Sequence, residues 1–453
     1  MSKGRRIATG IENLDKIFNP KRIAVIGASN RRGSVGFRLF RNLIEGGFRG
    51  FIYPVNPFSP SIQGITTYPS VIKIPWNVDL AIIATPAHTV PQIVEECGES
   101  GISGIIIVSS GFREAGEKGK ILEAEIMRLK HRYNMRIIGP NSLGIIRPSI
   151  GLNATFANKM AKPGRIAFIS QSGALCSSIL DWAAQANVGF SHFVSIGSMI
   201  DVDFADLIDY FGADPETRSI LLFMESIDGS IDRARKFMSA ARRFAGMKPI
   251  IVVKAGRSLE GARAAASHTG AMAGEDAIYD AAFRRIGVVR VNDIADLFSC
   301  AEILEMQPLP KGCRLLIITN AGGPGVMATD ILIQKGGRLA SLSEETVKAL
   351  DEVLPPFWSR GNPVDIGEDA TTERFRRVFE ICFREHDADG FMVIYTPQGA
   401  ADPYDVAVAL VEASKGLSKP ILTSWMGGES VRRGRDFLRS CLLYTSPSPR
   451  DRG

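Results

Sequence analysis

RIAFISQSGALCSSILDWAAQ, residues 165–185, decides the fold. An apolar run of β character at 165–169 breaks at Ser170-Gln171-Ser172-Gly173, then passes directly into apolar residues at helical spacing. The same strand–turn–helix opening occurs earlier, where RIAVIG (22–27) leads through a small-residue turn into a helix over 36–45 ended by Gly46-Gly47. It occurs again at RLLIITNAGGPGVMATDILIQKGG, residues 314–337. Further strands follow each opening. They are GFIYPVN (50–56), DLAIIATP (79–86), GIIIVSSG (104–111) and MRIIGPN (135–141) after the first, and FVSIG (193–197), SILLFME (219–225) and PIIVVKAG (249–256) after the second. FMVIYTP (391–397) and PILTSW (420–425) follow the third. Short β-rich runs separated by helical stretches indicate parallel sheets covered on both faces. The fold expected is α/β, with three Rossmann-like or flavodoxin-like parallel-sheet domains in tandem over 1–150, 151–306 and 307–440. A length of 453 residues agrees, at roughly 150 residues per domain. Residues 441–453, CLLYTSPSPRDRG, form a Ser/Pro/Arg tail without a strand to complete the third sheet and are read as non-native.

Composition bounds the function. Hydrophobic residues make up 45% and charged residues 23%, as in a globular protein rather than a disordered one. The formal charge of +6 is spread over interspersed acidic and basic residues, and no basic run with interleaved aromatics points to nucleic acid. Cys97, Cys176, Cys300, Cys313, Cys382 and Cys441 are scattered, without a CxxC pair or a histidine at zinc-ligand spacing, so no metal site is expected. The N-terminus lacks a signal-type apolar core, and no apolar run reaches the ~18 residues that span a bilayer. These features point to a cytoplasmic protein away from membranes.

The turns carry the chemistry. Gly27-Ala28-Ser29-Asn30, followed by Gly33 and Gly36, brings backbone N–H groups to a helix start, an arrangement that suits an anion. Its spacing is not GxGxxG, and GFIYPVNP ends without the acidic residue that holds a nicotinamide ribose, which argues against a dinucleotide dehydrogenase. Around Ser172 the positions matching the glycines of GxSxG are Ser170 and Ala174, so a serine-hydrolase elbow is also disfavoured. A helix start with free N–H donors and hydroxyls suits phosphate better, which makes Ser170, Ser172 and Gly173 candidates. His268 sits among small residues in 264–274, where a neutral imidazole is a nucleophile toward an activated phosphoryl group. Glu225, at the C-terminal edge of its strand, is placed to accept a proton from one ring nitrogen and leave the other to attack. Taken alone, these residues also fit a loop histidine and a solvated strand-end carboxylate. Asn320, Gly322 and Gly323 form a third Gly-rich turn, suited equally to ligand or packing, with Asn362-Pro363-Val364-Asp365 downstream.

Together these residues resemble the α subunit of ADP-forming acetyl-CoA synthetases, in the succinyl-CoA synthetase superfamily, over nearly the whole chain to about residue 440. The resemblance implies a coenzyme A-binding domain, a flavodoxin-like domain with the phosphohistidine loop, and a second flavodoxin-like ligase domain. Ser267-His268-Thr269-Gly270-Ala271 matches the family's phosphohistidine segment, Ser170 to Leu175 its phosphate-holding helix start, and Glu225 its histidine-orienting glutamate. Its coenzyme A turns correspond to Gly27-Ala28-Ser29 with Gly33, to Val55-Asn56-Pro57, to Ala84-Thr85-Pro86 and to Asn141. Two departures are Ser142, where many relatives carry Cys, and Phe58-Ser59, where a basic residue is common. The implied reaction converts acyl-CoA, phosphate and ADP to acid, ATP and CoA through acyl phosphate and phosphohistidine. Magnesium and ADP or ATP would come through an ATP-grasp partner, either a separate β subunit or a fused C-terminal domain, in an assembly that is a hetero-oligomer or a homodimer. A fused protein-lysine acetyltransferase and a non-catalytic coenzyme A sensor are the alternative functions.

Overall fold

A computed structural model of the chain describes residues 10–227, 230–258, 260–264, 275–441 and 443–445. They form two compact units, one up to Ala301 and one from Glu302 onward. The first unit carries two large sheets. Strands β1 (Arg22–Ile26), β2 (Phe51–Val55), β3 (Leu80–Ile83), β4 (Gly104–Ile107) and β5 (Arg136–Ile138) run parallel in the order β2-β1-β3-β4-β5. β3 and β4 are buried along their whole length, which is why they read as unbroken apolar runs.

The second sheet contains β6 (Gly144–Arg147), β7 (Leu152–Thr155), β8 (Pro163–Ser170), β9 (Phe190–Ser195), β10 (Ser219–Met224), β11 (Ile250–Lys254) and β12 (Val289–Val291). Their order is β12-β11-β10-β8-β9-β6-β7. β6 and β7 pair antiparallel, and β6 lies antiparallel to β9. The turn Pro148–Ile150 is too short for a crossover, so a hairpin is the pairing open to these two strands. In the second unit, β13 (Arg314–Thr319), β14 (Arg338–Leu339), β15 (Val364–Asp365), β16 (Gly390–Tyr395), β17 (Ile421–Trp425) and β18 (Tyr444–Thr445) form a parallel sheet. β18 was not expected from the sequence. A two-residue strand beside Ser and Pro is too short to leave a periodic signal, yet Tyr444 and Thr445 pair with Leu422 and Thr423.

The first helix of the chain's opening βα unit, α1 (Val35–Glu45), is capped by Ser34 Oγ, which accepts from Phe37 N at 3.2 Å. Its apolar face buries Leu39, Phe40 and Leu43. A Cβ on Gly36 would stand 1.9 Å from the Gly27 carbonyl oxygen, so glycine is required for the helix to lie on the turn.

A continuous core of Ile23, Val25, Phe40, Ile145, Ile169 and Val194 joins the two sheets of the first unit. Beside it lies a buried ion cluster. Arg136 is 1% exposed and reaches Asp201 at 3.0 Å and Asp206 at 2.7 Å, while Lys130 meets Asp201 at 3.2 Å and Lys236 meets Asp206 at 2.6 Å. Asp201 also accepts from Ile137 N at 2.8 Å, so the loop after β9 is tied to β5 by backbone as well as by charge.

His192 on β9 is 1% exposed, between Phe211 (ring centroids 4.6 Å apart) and Phe18 (5.6 Å). Among the described residues neither ring nitrogen has a hydrogen-bond partner, and Asp214 Oδ2 stands 3.6 Å from Nδ1. Burial pulls the imidazole down from 6.5 to about 3, with Asp214 opposing and Arg147 adding to the fall. The unfolded chain therefore takes up this proton first, and stability present above pH 6.5 is lost as pH falls toward 3. His192→Phe is expected to remove about 2 kcal/mol of the stability difference between pH 7.5 and pH 5. Denaturant unfolding of the first unit at both pH values measures it; an unchanged difference would contradict the assignment.

Candidate active site

The C-terminal ends of β3 and β4, the turn after β5 and the N-terminus of α2 (Gly173–Ala186) surround a cleft of about 630 Å³. Ala84, Thr85 and Pro86 form one wall, Ser109, Ser110 and Asn141 the next, and Gln171, Ser172, Gly173 and Ala174 the third. Val35, Val108, Leu143 and Phe156 supply apolar lining. Ligands in open parallel sheets collect at such strand ends, and here one sheet's strand ends face a helix start from the next sheet.

Hydrogen bonds brace the walls. Ser109 Oγ donates to Thr85 O at 2.6 Å, and Asn141 N donates to Ser109 O at 2.8 Å. Asn141 is left-handed (φ 55°) after the cis Gly139–Pro140 bond. Ser142 is 2% exposed; its hydroxyl donates to Ser195 O and accepts from Gly144 N at 2.9 Å. Ser142 is thus committed to holding the turn against β9. At the third wall Ser172 caps α2, its Oγ accepting from Leu175 N at 3.4 Å. Ser170 is fully buried below the turn: its Oγ donates to Ser172 O and accepts from Ser172 N, both at 3.0 Å. Ser172 and Gly173 therefore line the cleft, while Ser170 shapes the turn that presents them. Cys176 beneath them is fully buried, and burial pushes its thiol up to about 12.

The remaining predicted positions fall in neighbouring clusters. Gly27, Ala28 and Ser29 adjoin Val55, Asn56 and Pro57: Gly27 N donates to Val55 O at 3.1 Å, and Asn56 Nδ2 donates to Ala28 O at 2.8 Å. Asn56 Oδ1 accepts from Phe58 N at 2.8 Å, so this side chain braces both turns. Gly27 abuts the cleft, since a Cβ there would lie 2.6 Å from Ala84 O. Gly33 lines a separate hollow of about 400 Å³ with Arg32, Phe37, Arg38, Arg41 and Glu45.

Glu225 follows β10 and is half-buried; its N–H donates to Gln171 Oε1 at 2.6 Å. Lys254, at the end of neighbouring β11, is 3% exposed with its ammonium 4.6 Å from the Tyr279 ring centroid. Burial pulls Lys254 below its ordinary range, with Asp276 and Glu225 opposing. His268 and the rest of 265–274 lie outside the described residues. Sequence reading missed Gln171, Ser109, Ser110, Phe156 and Lys254. Ser109-Ser110 ends an apolar strand, as Thr85-Pro86 does, and that parallel was the available signal; Phe156 carried none.

In the second unit Asn320 is 1% exposed, and its carboxamide bonds Thr396 N and O, each at 2.9 Å. It ties β13 to β16. A Cβ on Gly322 would stand 3.2 Å from Asp365 Oδ2, whereas Gly323 faces open space.

Three family models match the chain: a CoA binding domain over 21–148, a succinyl-CoA ligase-like flavodoxin domain over 163–304 and a ligase-CoA domain over 315–447. The α subunit of acetate–CoA ligase (ADP-forming) II of Pyrococcus furiosus is 42% identical over 97% of this chain and 95% of its own length. Acetate–CoA ligase (ADP-forming) I of Archaeoglobus fulgidus is 43% identical over 94% of the chain, which spans only 60% of that longer relative. Among solved structures, the dinucleotide-forming acetyl-coenzyme A synthetase 1 of Candidatus Korarchaeum cryptofilum, in complex with phosphate and ADP, superposes with a TM-score of 0.90 at 38% identity, covering 96% of this chain and 94% of that one. Within the succinyl-CoA synthetase superfamily, the chain belongs to the family of ADP-forming acetate–CoA ligases, alongside their α subunits.

Proposed function

We propose that the chain is the α part of an ADP-forming acyl-CoA ligase, with acetyl-CoA as its reference substrate, converting acyl-CoA, phosphate and ADP to acid, ATP and CoA. The observation that carries this reading is the single cleft in which Thr85, Asn141 and the Ser172–Gly173 helix start converge. Coenzyme A would lie along the turns after β1, β2 and β3, contacting Gly27, Ala28, Ser29, Val55, Asn56, Pro57 and Ala84 to Pro86, with its thioester toward Asn141. The N–H of Gly173 and the hydroxyl of Ser172 suit phosphate, because a helix N-terminus offers donors without intrahelical partners and a favourable dipole. A phosphate oxygen attacks the thioester carbon there, the C–S bond breaks, and CoA leaves as the thiol after taking a proton. A ring nitrogen of His268, oriented by Glu225, then takes the phosphoryl group from the acyl phosphate and releases the carboxylate. Transfer to ADP, with magnesium, belongs to an ATP-grasp unit, either a separate β subunit or a fused domain. The domain division that goes with this is coenzyme A binding over 1–150, the phosphohistidine domain over 151–306 and a second ligase domain over 307–440, with Asn320, Gly322 and Gly323 at a further ligand loop.

Ser172→Asp separates phosphate from coenzyme A. Aspartate keeps the capping acceptor but sets a negative charge at the anion position. Phosphate affinity is expected to fall at least about tenfold, with coenzyme A affinity unchanged. Calorimetric titration of each ligand checks this; unaltered phosphate binding would remove phosphate from this helix start.

A further inference from the structure

Gln171 stands between the two serines of the phosphate turn and reaches across to the exit of β10. Its carboxamide oxygen accepts from Glu225 N at 2.6 Å and from Ser226 N at 3.0 Å, and the next N–H, of Ile227, donates to Tyr279 Oη at 3.1 Å. Gln171's own N–H donates to Phe223 O at 3.2 Å, so backbone and side chain together lock it to β10. Three consecutive backbone donors after this strand are therefore held by side chains and not by a sheet partner. Ser226 is only 5% exposed, so its N–H would be costly to leave unpaired. Gln171 also lines the cleft beside Ser172 and Gly173. One side chain thus links the helix start that suits phosphate to the carboxylate assigned to the histidine.

We propose that Gln171 is a positioning residue of the reaction, acting through Glu225: by accepting from the N–H groups of Glu225 and Ser226 it fixes where that carboxylate stands relative to phosphate bound at α2. This rests on the ligase reading above. A misplacement of about 1 Å at a reacting centre costs on the order of 100-fold in rate, and Gln171 is the side chain that sets this spacing. Methionine has the length of glutamine without the acceptor; glutamate keeps the acceptor and adds a charge.

The test is phosphate- and ADP-dependent turnover of acetyl-CoA by the full chain with an ATP-grasp partner supplied, followed as thiol release across pH, with thermal midpoints of the chain measured alongside. Gln171→Met is expected to lower kcat about 100-fold, with KM for acetyl-CoA within about twofold of wild type. Gln171→Glu should recover much of that loss at high pH. Its acidic limb should also move to higher pH, because a second carboxylate raises the pKa of Glu225. Wild-type kcat in Gln171→Met would overturn the proposal. So would a joint loss of kcat, KM and thermal stability that Gln171→Glu does not relieve, since that would make Gln171 a fold support only. A wild-type chain that releases no thiol with phosphate, ADP and that partner would overturn the ligase reading itself, and is distinguished by failing before any variant is compared.

Discussion

His268→Ala is expected to abolish ADP-forming turnover, by on the order of 10⁴-fold or more, while coenzyme A binding persists. In the proposed reaction, acyl phosphate formed in the cleft passes its phosphoryl group to ADP in an ATP-grasp unit, separate or fused, and no group other than a nucleophilic imidazole is assigned to carry it. Removing a covalent nucleophile leaves only binding and electrostatic stabilisation, so the loss falls on kcat. Coenzyme A is assigned to turns of residues 27–29, 55–57 and 84–86, far in sequence from position 268, so its affinity should stay within about twofold. A coupled ATP-formation assay, with the ATP-grasp partner supplied, measures the first quantity and equilibrium titration the second. Turnover within tenfold of wild type would remove His268 from the mechanism.

Arg136→Met is expected to destabilise the first unit by about 3–5 kcal/mol, because it strips the shared cation from two buried carboxylates and leaves Asp201 to Lys130 and Asp206 to Lys236 alone. Asp206 is 1% exposed and Asp201 nearly as buried, with side-chain exposure of 7%. Burial already pushes the Asp206 carboxyl up from 3.8, Asp203 adds to this, and Arg136 and Lys236 pull it back. Without Arg136 that pKa rises further. A carboxyl raised in the folded state costs stability as pH climbs, so the deficit should be full near neutral pH and shrink as pH falls toward 3.8. Denaturant unfolding at several pH values reads both features. The exposed pair Arg41–Glu45, at 2.6 Å, provides the contrast: breaking it should cost less than about 1 kcal/mol.

The strand–turn–helix openings at 22, 165 and 314 were legible because each begins a buried parallel strand, where an unbroken apolar run meets a small-residue turn. The antiparallel hairpin at 144–155 was hidden, since GIIR and LNAT carry neither alternation nor a turn of distinctive type. For the site, the turns themselves were readable, but what each side chain does was not. Asn56, Ser170 and Asn320 look like ligand groups in sequence, yet each spends its polar atoms on backbone across a turn or between strands. Gln171 shows the converse. A glutamine between two serines gives no sign that its partners are Glu225 and Ser226, 54 and 55 residues away, because that pairing depends on β8 and β10 being neighbours. Long-range register, not local propensity, decides such roles.

The most direct test of the central claim is to incubate the purified chain with acetyl-CoA and radiolabelled phosphate, without an ATP-grasp unit, and characterise the labelled protein. The account predicts acid-labile, base-stable label that maps to His268 and is missing from His268→Ala. No label across several acyl-CoAs, with coenzyme A binding intact, would contradict it and favour a protein that binds coenzyme A without performing the phosphoryl transfer.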